Sequence, residues 1–171
     1  MLYRLPELSS ADPSEPVVIT EGEKDVETIR TLGLVATTNP GGAGKWKSEY
    51  NECLRDRHVV ILSDNDLVGQ QHAEQVARSL LGVAASVKLI TLPELLEKGD
   101  VSDWITAGHT TEELLRLIEQ TPALQPEDLL LGLDIEEPHK EDRYTPGRMP
   151  KTHHPSWPRR KKRLRGLPTS S

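Results

Sequence analysis

The chain has 171 residues, which is enough for one domain with its own core and too few for two large domains. Only 35% of the residues are hydrophobic, none is Phe, and no apolar run reaches the length of a membrane span. The single cysteine, Cys53, excludes an intrachain disulfide and a four-cysteine zinc site, and the N-terminus lacks the features of a signal peptide, which predicts a cytoplasmic protein.

The formal net charge of −6 conceals two oppositely charged parts. Residues 1–138 carry 25 acidic and 11 basic side chains, whereas residues 139–171 carry 2 acidic and 10 basic ones. An acidic body is therefore followed by a basic segment. The proline-rich and charge-rich composition of residues 139–171 predicts that this tail is disordered.

Four short apolar or β-branched runs predict strands, and apolar residues at helical spacing predict helices between and after them. The predicted strands cover residues 17–20, 35–38, 58–63 and 86–92. The predicted helices cover residues 23–32, about 48–55, a segment that ends before Gly82 and has its apolar stripe at 73–81, a short helix near 104 and a segment from 110 onward. Gly33 and Gly82 end two of these helices, and Thr110 with Glu113 forms a capping box for the last.

Strands that alternate with helices predict an α/β fold with a four-stranded, mainly parallel sheet flanked by helices. We expect a lead-in segment at residues 1–16, the folded domain at 17–122, a linker at 123–138 and the basic tail at 139–171.

Acidic residues follow two of the predicted strands. Glu21 comes after the first strand, and Asp64 and Asp66 come after the third. Because ligands of parallel sheets bind beyond the carboxyl ends of the strands, we expect these three carboxylates to converge. Hard oxygen ligands in partial number suit Mg²⁺, which keeps some of its waters for a substrate phosphate. The alternative is that turns favour Asp and Asn for their own hydrogen bonding.

The stretch NPGGAGKW, residues 39–46, resembles a nucleotide-binding P-loop only superficially. A P-loop requires a glycine five residues before its Gly-Lys pair and a Ser or Thr after it, whereas this chain has Asn39 and Trp46 at those positions. The stretch follows the second predicted strand, so its glycines are expected to turn beside the acidic residues, with Lys45 placed to meet a phosphate. Trp46 is expected to pack beneath the loop, and stacking on a base is the alternative.

Three ordered motifs resemble the Toprim domain, the acidic-site fold shared by bacterial-type primases, topoisomerases and some nucleases. They are VVITEGEKD from residue 17, LSDND from residue 62 and KGDVSDW from residue 98. Together with the glycine-rich stretch, they are most similar to the Toprim segment of DNA primases and primase-helicases of phages and other mobile elements. The resemblance covers roughly residues 2–120.

The resemblance implies roles for individual residues. Glu21 would be the general acid or base, and Asp64 and Asp66 would bind Mg²⁺ or Mn²⁺. Asp100 and Asp103 match a further acidic motif and would complete or flank the metal site, although Asp103 could equally cap the helix near residue 104. For Lys24 three roles are open: an approach to phosphate, a pair with a site carboxylate, and an exposed helical lysine.

The implied function is Mg²⁺-dependent nucleotidyl transfer on a DNA template, with single-stranded DNA and nucleotides as ligands. We expect the chain to be incomplete as a primase, because such enzymes usually carry a zinc-binding module and often a helicase, which a partner encoded nearby could supply. Two other functions are open: a metal-dependent Toprim nuclease and a non-catalytic nucleic-acid-binding module.

A basic cluster in the tail is the remaining candidate for nucleic-acid binding. It comprises Arg159, Arg160, Lys161, Lys162 and Arg163, near Trp157. A cationic segment binds phosphates through counterion release, which is non-specific and sensitive to salt. The cluster could also fold back on the acidic body or remain solvated without a role.

Overall fold

The computed structural model describes residues 1–129, so the predicted tail and its basic cluster lie outside the described residues. The helices are α1 (Leu5–Ser10), α2 (Glu23–Thr31), α3 (Leu67–Leu80), α4 (Val101–Thr106) and α5 (Thr111–Gln120), with 3-10 helices at Ser48–Leu54 and Pro126–Leu129. The strands are β1 (Val17–Ile19), β2 (Val35–Thr37), β3 (His58–Ser63) and β4 (Ser86–Thr91).

The four strands form one parallel sheet in the order β2-β1-β3-β4. Val17 pairs with Val35 on one side and with Val59 on the other, and His58 pairs with Ser86. This confirms the predicted α/β fold. Because all strands run in one direction, their carboxyl ends lie along a single edge of the sheet.

Each face of the sheet is covered by its own apolar cluster, because successive strand residues point to opposite faces. Val17 and Ile19 lie on the face covered by α1, α3 and the 3-10 helix at Ser48–Leu54. Val18 lies on the face covered by α2, α4 and α5. Both faces of the central strands are thus buried, as is usual for parallel sheets.

Helix α1 was not predicted, because six residues are too few to show a helical period. It packs through Leu8, which is 1% exposed, and the preceding Leu2 is 2% exposed. The hydroxyl of Thr37 also donates to the carbonyl oxygen of Tyr3 at 2.7 Å. The segment predicted as a lead-in therefore contributes to the core.

Part of the predicted linker also packs on the sheet. The backbone amide of Leu124 donates to the carbonyl oxygen of Val87 at 2.7 Å, and Leu129 is buried against the same cluster as α3. The domain boundaries at residues 17 and 122 stay a prediction. Within residues 1–129, the helices are too short or too polar to cross a membrane.

Candidate functional site

Glu21 and Asp64 meet at the carboxyl edge of the sheet. Glu21 is the second residue after β1 and Asp64 directly follows β3, and these two strands are paired neighbours. Both residues line one small cavity at this edge of the sheet. The structure thus brings together two of the three carboxylates that were expected to converge directly after the strands.

The proximity of these acids changes how they ionise. Burial, followed by the negative charge of Glu21, raises the pKa of Asp64 to about 7. Burial, followed by the charges of Asp66 and Asp25, also raises the pKa of Glu21. Neighbouring carboxylates of this kind hold a proton near neutral pH unless a cation compensates their charge.

Asp66 lies at the N-terminus of α3. Its Oδ1 accepts the backbone amide of Gly69 at 2.7 Å, which makes Asp66 the N-cap of the helix. A Cβ added to Gly69 would lie 2.8 Å from the Cβ of Asp64, so the helix reaches Asp64 this closely only with glycine there. Asp66 therefore has a structural role whether or not it also binds a cation.

Asp100 and Asp103 form a capping box at the start of α4. Oδ1 of Asp100 accepts the amide of Asp103 at 2.9 Å, and Oδ2 of Asp103 accepts the amide of Asp100 at 3.2 Å. The sequence left Asp103 open between a capping and a metal-binding role, and in the structure it is part of a cap. The helix begins at Val101, slightly before the position predicted from the sequence.

Lys24 pairs with Asp100. Its Nζ donates to Oδ2 of Asp100 at 2.5 Å, across 76 positions of sequence. Although burial by itself raises the pKa of Asp100, this hydrogen bond and the capping amide of Asp103 hold the pKa below its ordinary value. Of the roles open for Lys24, the structure shows the pair with a carboxylate.

Asp25 is an acidic residue that the sequence reasoning did not select. It lies on α2, is 4% exposed, and accepts a hydrogen bond from the hydroxyl of Ser102 at 2.6 Å. Burial, which outweighs the hydrogen bond from Ser102, raises its pKa, and its charge in turn raises the pKa of Asp64. A signal was available, because Asp25 is four residues before the buried Ile29 and so lies on the inward face of the helix.

The glycine-rich stretch forms a turn that only glycine tolerates well. Gly41, Gly42 and Gly44 have φ values of 88°, 73° and 72°, all in the left-handed region. Trp46 is 7% exposed, and its indole Nε1 donates to Oδ1 of Asn51 at 3.0 Å. Packing of Trp46 beneath the loop is thus observed, while the neighbouring Lys45 is exposed.

The loop is also bound by a histidine that the sequence reasoning missed. The backbone amide of Gly44 donates to Nδ1 of His72 on α3 at 3.0 Å. His72 is 5% exposed and lines the same small cavity as Glu21 and Asp64. The available signal was its position directly before Ala73 on the apolar face of α3, where a polar side chain is unusual.

Carboxylate oxygens at this edge suit a hard divalent cation. Within residues 1–129, no three His, Cys, Asp or Glu side chains stand close enough to enclose a metal ion by themselves. Glu21 and Asp64 nevertheless line one cavity, and burial, followed by the charges of neighbouring acids, raises the pKa of both carboxyl groups. Asp64 with a neighbouring carboxylate, waters and a substrate phosphate could hold such a cation at this edge, and this manner of binding is typical of Mg²⁺.

No known protein-family profile matches the chain. A relative is the gene 57 protein of Mycobacterium phage D29, which is 37% identical over 82 residues, or 47% of this chain. The matched part is 51% of that protein, so the chain spans about half the length of the curated relative that it matches.

Solved structures of DNA primases share the fold. The zinc-binding and RNA polymerase domains of the Aquifex aeolicus primase superpose with a TM-score of 0.54 at 26% identity, covering 64% of this chain and 27% of that one. The DnaG catalytic core superposes with a TM-score of 0.61 and the E. coli primase catalytic core with 0.58. Each is 19% identical and covers 77% of this chain and 42% of its own.

The fold is that of a primase-like Toprim module. The likeness at 19% identity shows the fold alone, and the chain covers less than half of each primase structure.

Proposed function

We propose that the chain is the Toprim module of a DNA primase of a phage or mobile element, which carries out nucleotidyl transfer on a DNA template with Mg²⁺ or Mn²⁺. The observation that carries this proposal is the meeting of Glu21 and Asp64, with raised pKa values, at the carboxyl edge of a primase-like sheet. The match to a phage protein supports the mobile-element origin.

Asp64 and Asp66 would hold the cation in this proposal, and Asp100 and Asp103 would flank it. When bound, the cation supplies positive charge that stabilises the transferring phosphoryl group. Asp64 has the better claim to be the main ligand, because its charge is uncompensated whereas Asp100 already pairs with Lys24. Oδ1 of Asp66 caps α3, which leaves its other oxygen, Oδ2, for the cation.

Glu21 would act on the proton of the attacking hydroxyl. A general base works best when its pKa lies near the working pH, and burial beside other acids moves the pKa of Glu21 in that direction. The negative charge of Asp25 raises the pKa of Asp64, which therefore holds a proton more readily. A cation bound during the reaction would take the place of that proton.

Lys45 would bind the nucleotide phosphates. The loop that carries it leaves β2, whose carboxyl end lies on the same edge as Glu21 and Asp64. Hydrogen bonds fix both ends of the loop, because Nδ2 of Asn39 donates to the carbonyl oxygen of Gly42 at 2.9 Å and the indole of Trp46 is bound by Asn51. An exposed lysine on such a loop is accessible to a ligand.

Single-stranded DNA and nucleotides are the proposed ligands, and other primase parts would be required for a complete reaction. The Aquifex structure includes a zinc-binding domain, and this chain covers only 27% of that structure. A zinc-binding or helicase protein encoded nearby is therefore a proposed partner.

The test is Mn²⁺ binding followed by primer synthesis. We expect the full chain to bind Mn²⁺, and Asp64→Asn to weaken binding by about tenfold or more, since one charge-assisted ligand is lost. Template-dependent primer synthesis is then measured for the chain alone and for the chain mixed with proteins of neighbouring genes. If wild type and Asp64→Asn bind Mn²⁺ equally, the proposed metal site is wrong. If neither the chain alone nor the mixture makes primers, the primase assignment is wrong.

The same experiment separates a primase from a nuclease, because the carboxylates could also direct water at a phosphodiester. Metal-dependent nicking of DNA that disappears in Glu21→Gln, without primer synthesis, would assign the site to hydrolysis instead.

A further inference from the structure

His72 is a buried histidine that bonds to the glycine-rich loop and lines the same cavity as Glu21 and Asp64. It lies on the face of α3 that packs against the sheet and is 5% exposed. Its Nδ1 accepts the amide of Gly44, and its ring forms part of the wall of the cavity shared by Glu21 and Asp64.

The hydrogen bond from Gly44 determines the protonation of the ring. Nδ1 accepts from a backbone amide and so carries no proton, which places the proton of the neutral imidazole on Nε2. Burial lowers the pKa of His72, which also favours the neutral ring. Nε2 is buried and, among residues 1–129, has no hydrogen-bond partner.

This arrangement costs stability that an apolar side chain would not cost. Burying a donor without a partner is unfavourable, so a leucine would serve better if position 72 had only to fill space. The polar ring contributes one contact that a leucine cannot make, namely the acceptor for Gly44.

Helix α3 connects this contact to the metal-binding side of the site. Along one helix, Asp66 caps the N-terminus, Gly69 contacts Asp64 and His72 binds Gly44. Gly44 directly precedes Lys45 in the chain. Helix α3 therefore links Asp64 to the loop that carries Lys45, through the close approach of Gly69 and the hydrogen bond of His72.

We propose that His72 is a positioning residue that holds the loop at Gly44 and Lys45 in register with Glu21 and Asp64, so that the loop binds the phosphates of a nucleoside triphosphate. This inference rests on the proposed function, because it assigns a task to the same site. It also predicts a loop contact that can be measured without any activity.

The test uses three substitutions that separate the two ring nitrogens. His72→Asn keeps an acceptor near the position of Nδ1, His72→Gln places its polar group near the position of Nε2, and His72→Leu keeps neither. His58→Asn is the matched control, because His58 lies at the opposite end of β3 and pairs with Ser86. Thermal unfolding identifies the variants that fold. If His72→Leu does not fold, the comparison of His72→Asn with His72→Gln still tests the proposal.

The first readout is hydrogen exchange of the Gly44 amide in the full chain by NMR. We expect exchange to be about tenfold faster in His72→Gln and His72→Leu than in wild type, and near the wild-type rate in His72→Asn and His58→Asn. Equal exchange in wild type and in a folded His72→Leu or His72→Gln would overturn the proposal.

The second readout is the affinity for Mn²⁺ and for ATP in the presence of Mn²⁺. We expect the Gln and Leu variants to weaken ATP binding about fivefold to tenfold, with Mn²⁺ binding unchanged and with ATP binding restored in the Asn variant. Equal loss of ATP binding in all three variants would overturn the positioning role, as would a wild type that binds Mn²⁺ but no ATP. A wild type that binds no Mn²⁺ would overturn the proposed function, and Gly44 exchange would still decide whether His72 holds the loop.

Discussion

The side-chain amide of Asn65 donates to the carbonyl oxygen of Leu95 at 2.8 Å. The same Nδ2 donates to the carbonyl oxygen of Leu96 at 3.1 Å. The backbone of Asn65 makes two further hydrogen bonds. Its amide donates to the carbonyl oxygen of Gly99 at 3.0 Å, and the amide of Lys98 donates to the carbonyl oxygen of Asn65 at 2.9 Å. The residue between the two predicted metal ligands thus anchors the loop that follows β4.

We expect Asn65→Ala to loosen this loop and to lower the free energy of unfolding by about 1–2 kcal/mol, because carbonyl groups lose their donors. Asn65→Asp should be at least as harmful, since a carboxylate cannot donate to them. Urea unfolding measures the stability, and limited proteolysis of residues 93–99 measures the loosening. Glu97→Gln, at an exposed position of the same loop, is the control; an Asn65→Ala protein as stable as this control would contradict the prediction.

Gly69→Ala should damage both stability and cation binding. The added Cβ would lie 2.8 Å from the Cβ of Asp64 and 3.1 Å from its backbone oxygen, and overpacking of this kind costs about 1–3 kcal/mol. Gly22→Ala is the matched control, because a Cβ at that position meets only Oδ2 of Asp25, at 3.5 Å. Unfolding curves and Mn²⁺ titrations of the two variants give the comparison, and equal behaviour would show that the close approach to Asp64 is not needed.

The raised pKa of Asp64 predicts that the metal-free protein loses stability as the pH rises. Its pKa is about 7 in the folded protein against an ordinary value of 3.8, so between these values the folded state keeps a proton that the unfolded state releases. The free energy of unfolding falls with pH wherever the folded state binds more protons. The raised pKa values of Glu21 and Asp25 act in the same direction, whereas the lowered pKa of Asp100 acts in the opposite one.

Asp64→Asn removes the ionisation of this residue. In EDTA the free energy of unfolding of Asp64→Asn should exceed that of the wild type by on the order of 1–2 kcal/mol at pH 8, after allowance for solvent screening. At pH 4 the two free energies should be nearly equal. Urea unfolding at the two pH values measures the difference. A difference that is the same at both pH values would show that Asp64 ionises normally in the folded protein.

Lys45→Ala should weaken nucleotide binding while leaving Mn²⁺ binding largely intact, because the lysine is exposed on the loop and the carboxylates are untouched. Loss of one exposed cation from a phosphate site is expected to raise the Kd for ATP about threefold to tenfold. Lys47→Ala is the control, since Lys47 is also exposed and lies 3.8 Å from Glu49. Equal effects of the two substitutions would show that Lys45 contributes only non-specific positive charge and does not contact the phosphates.

Replacing the five basic residues from Arg159 to Arg163 with Gln should weaken binding of single-stranded DNA and its dependence on salt. Each phosphate contact contributes about 0.7 to the slope of log K against log salt for single strands, so five contacts would contribute about 3 to 4. Fluorescence anisotropy across a salt series measures this slope. An unchanged slope would show that residues 159–163 do not contact the phosphates of the DNA.

The pattern of the sequence was sufficient to predict the sheet. β3 is an unbroken apolar run from Val59 to Leu62. The helical spacing of apolar residues between the strands, and the glycines after the helices, indicated that strands and helices alternate. The same logic placed Glu21 and Asp64 on one edge, because parallel strands share the direction of their carboxyl ends. Helix α1 escaped prediction, since its stability comes from packing of Leu8 on the sheet and not from a local period.

Local sequence determined the order of the elements, the turns at the glycines of the loop and the acidic character of the strand ends, because these follow from backbone preferences and side-chain chemistry within a few residues. Only the tertiary structure decided that Lys24 neutralises Asp100, that Asp25 is buried beside the site and that His72 binds Gly44. Each of these relationships depends on which faces of α2, α3 and α4 are pressed together. Contacts between residues 28 to 76 positions apart have no signature in the local spacing of the chain.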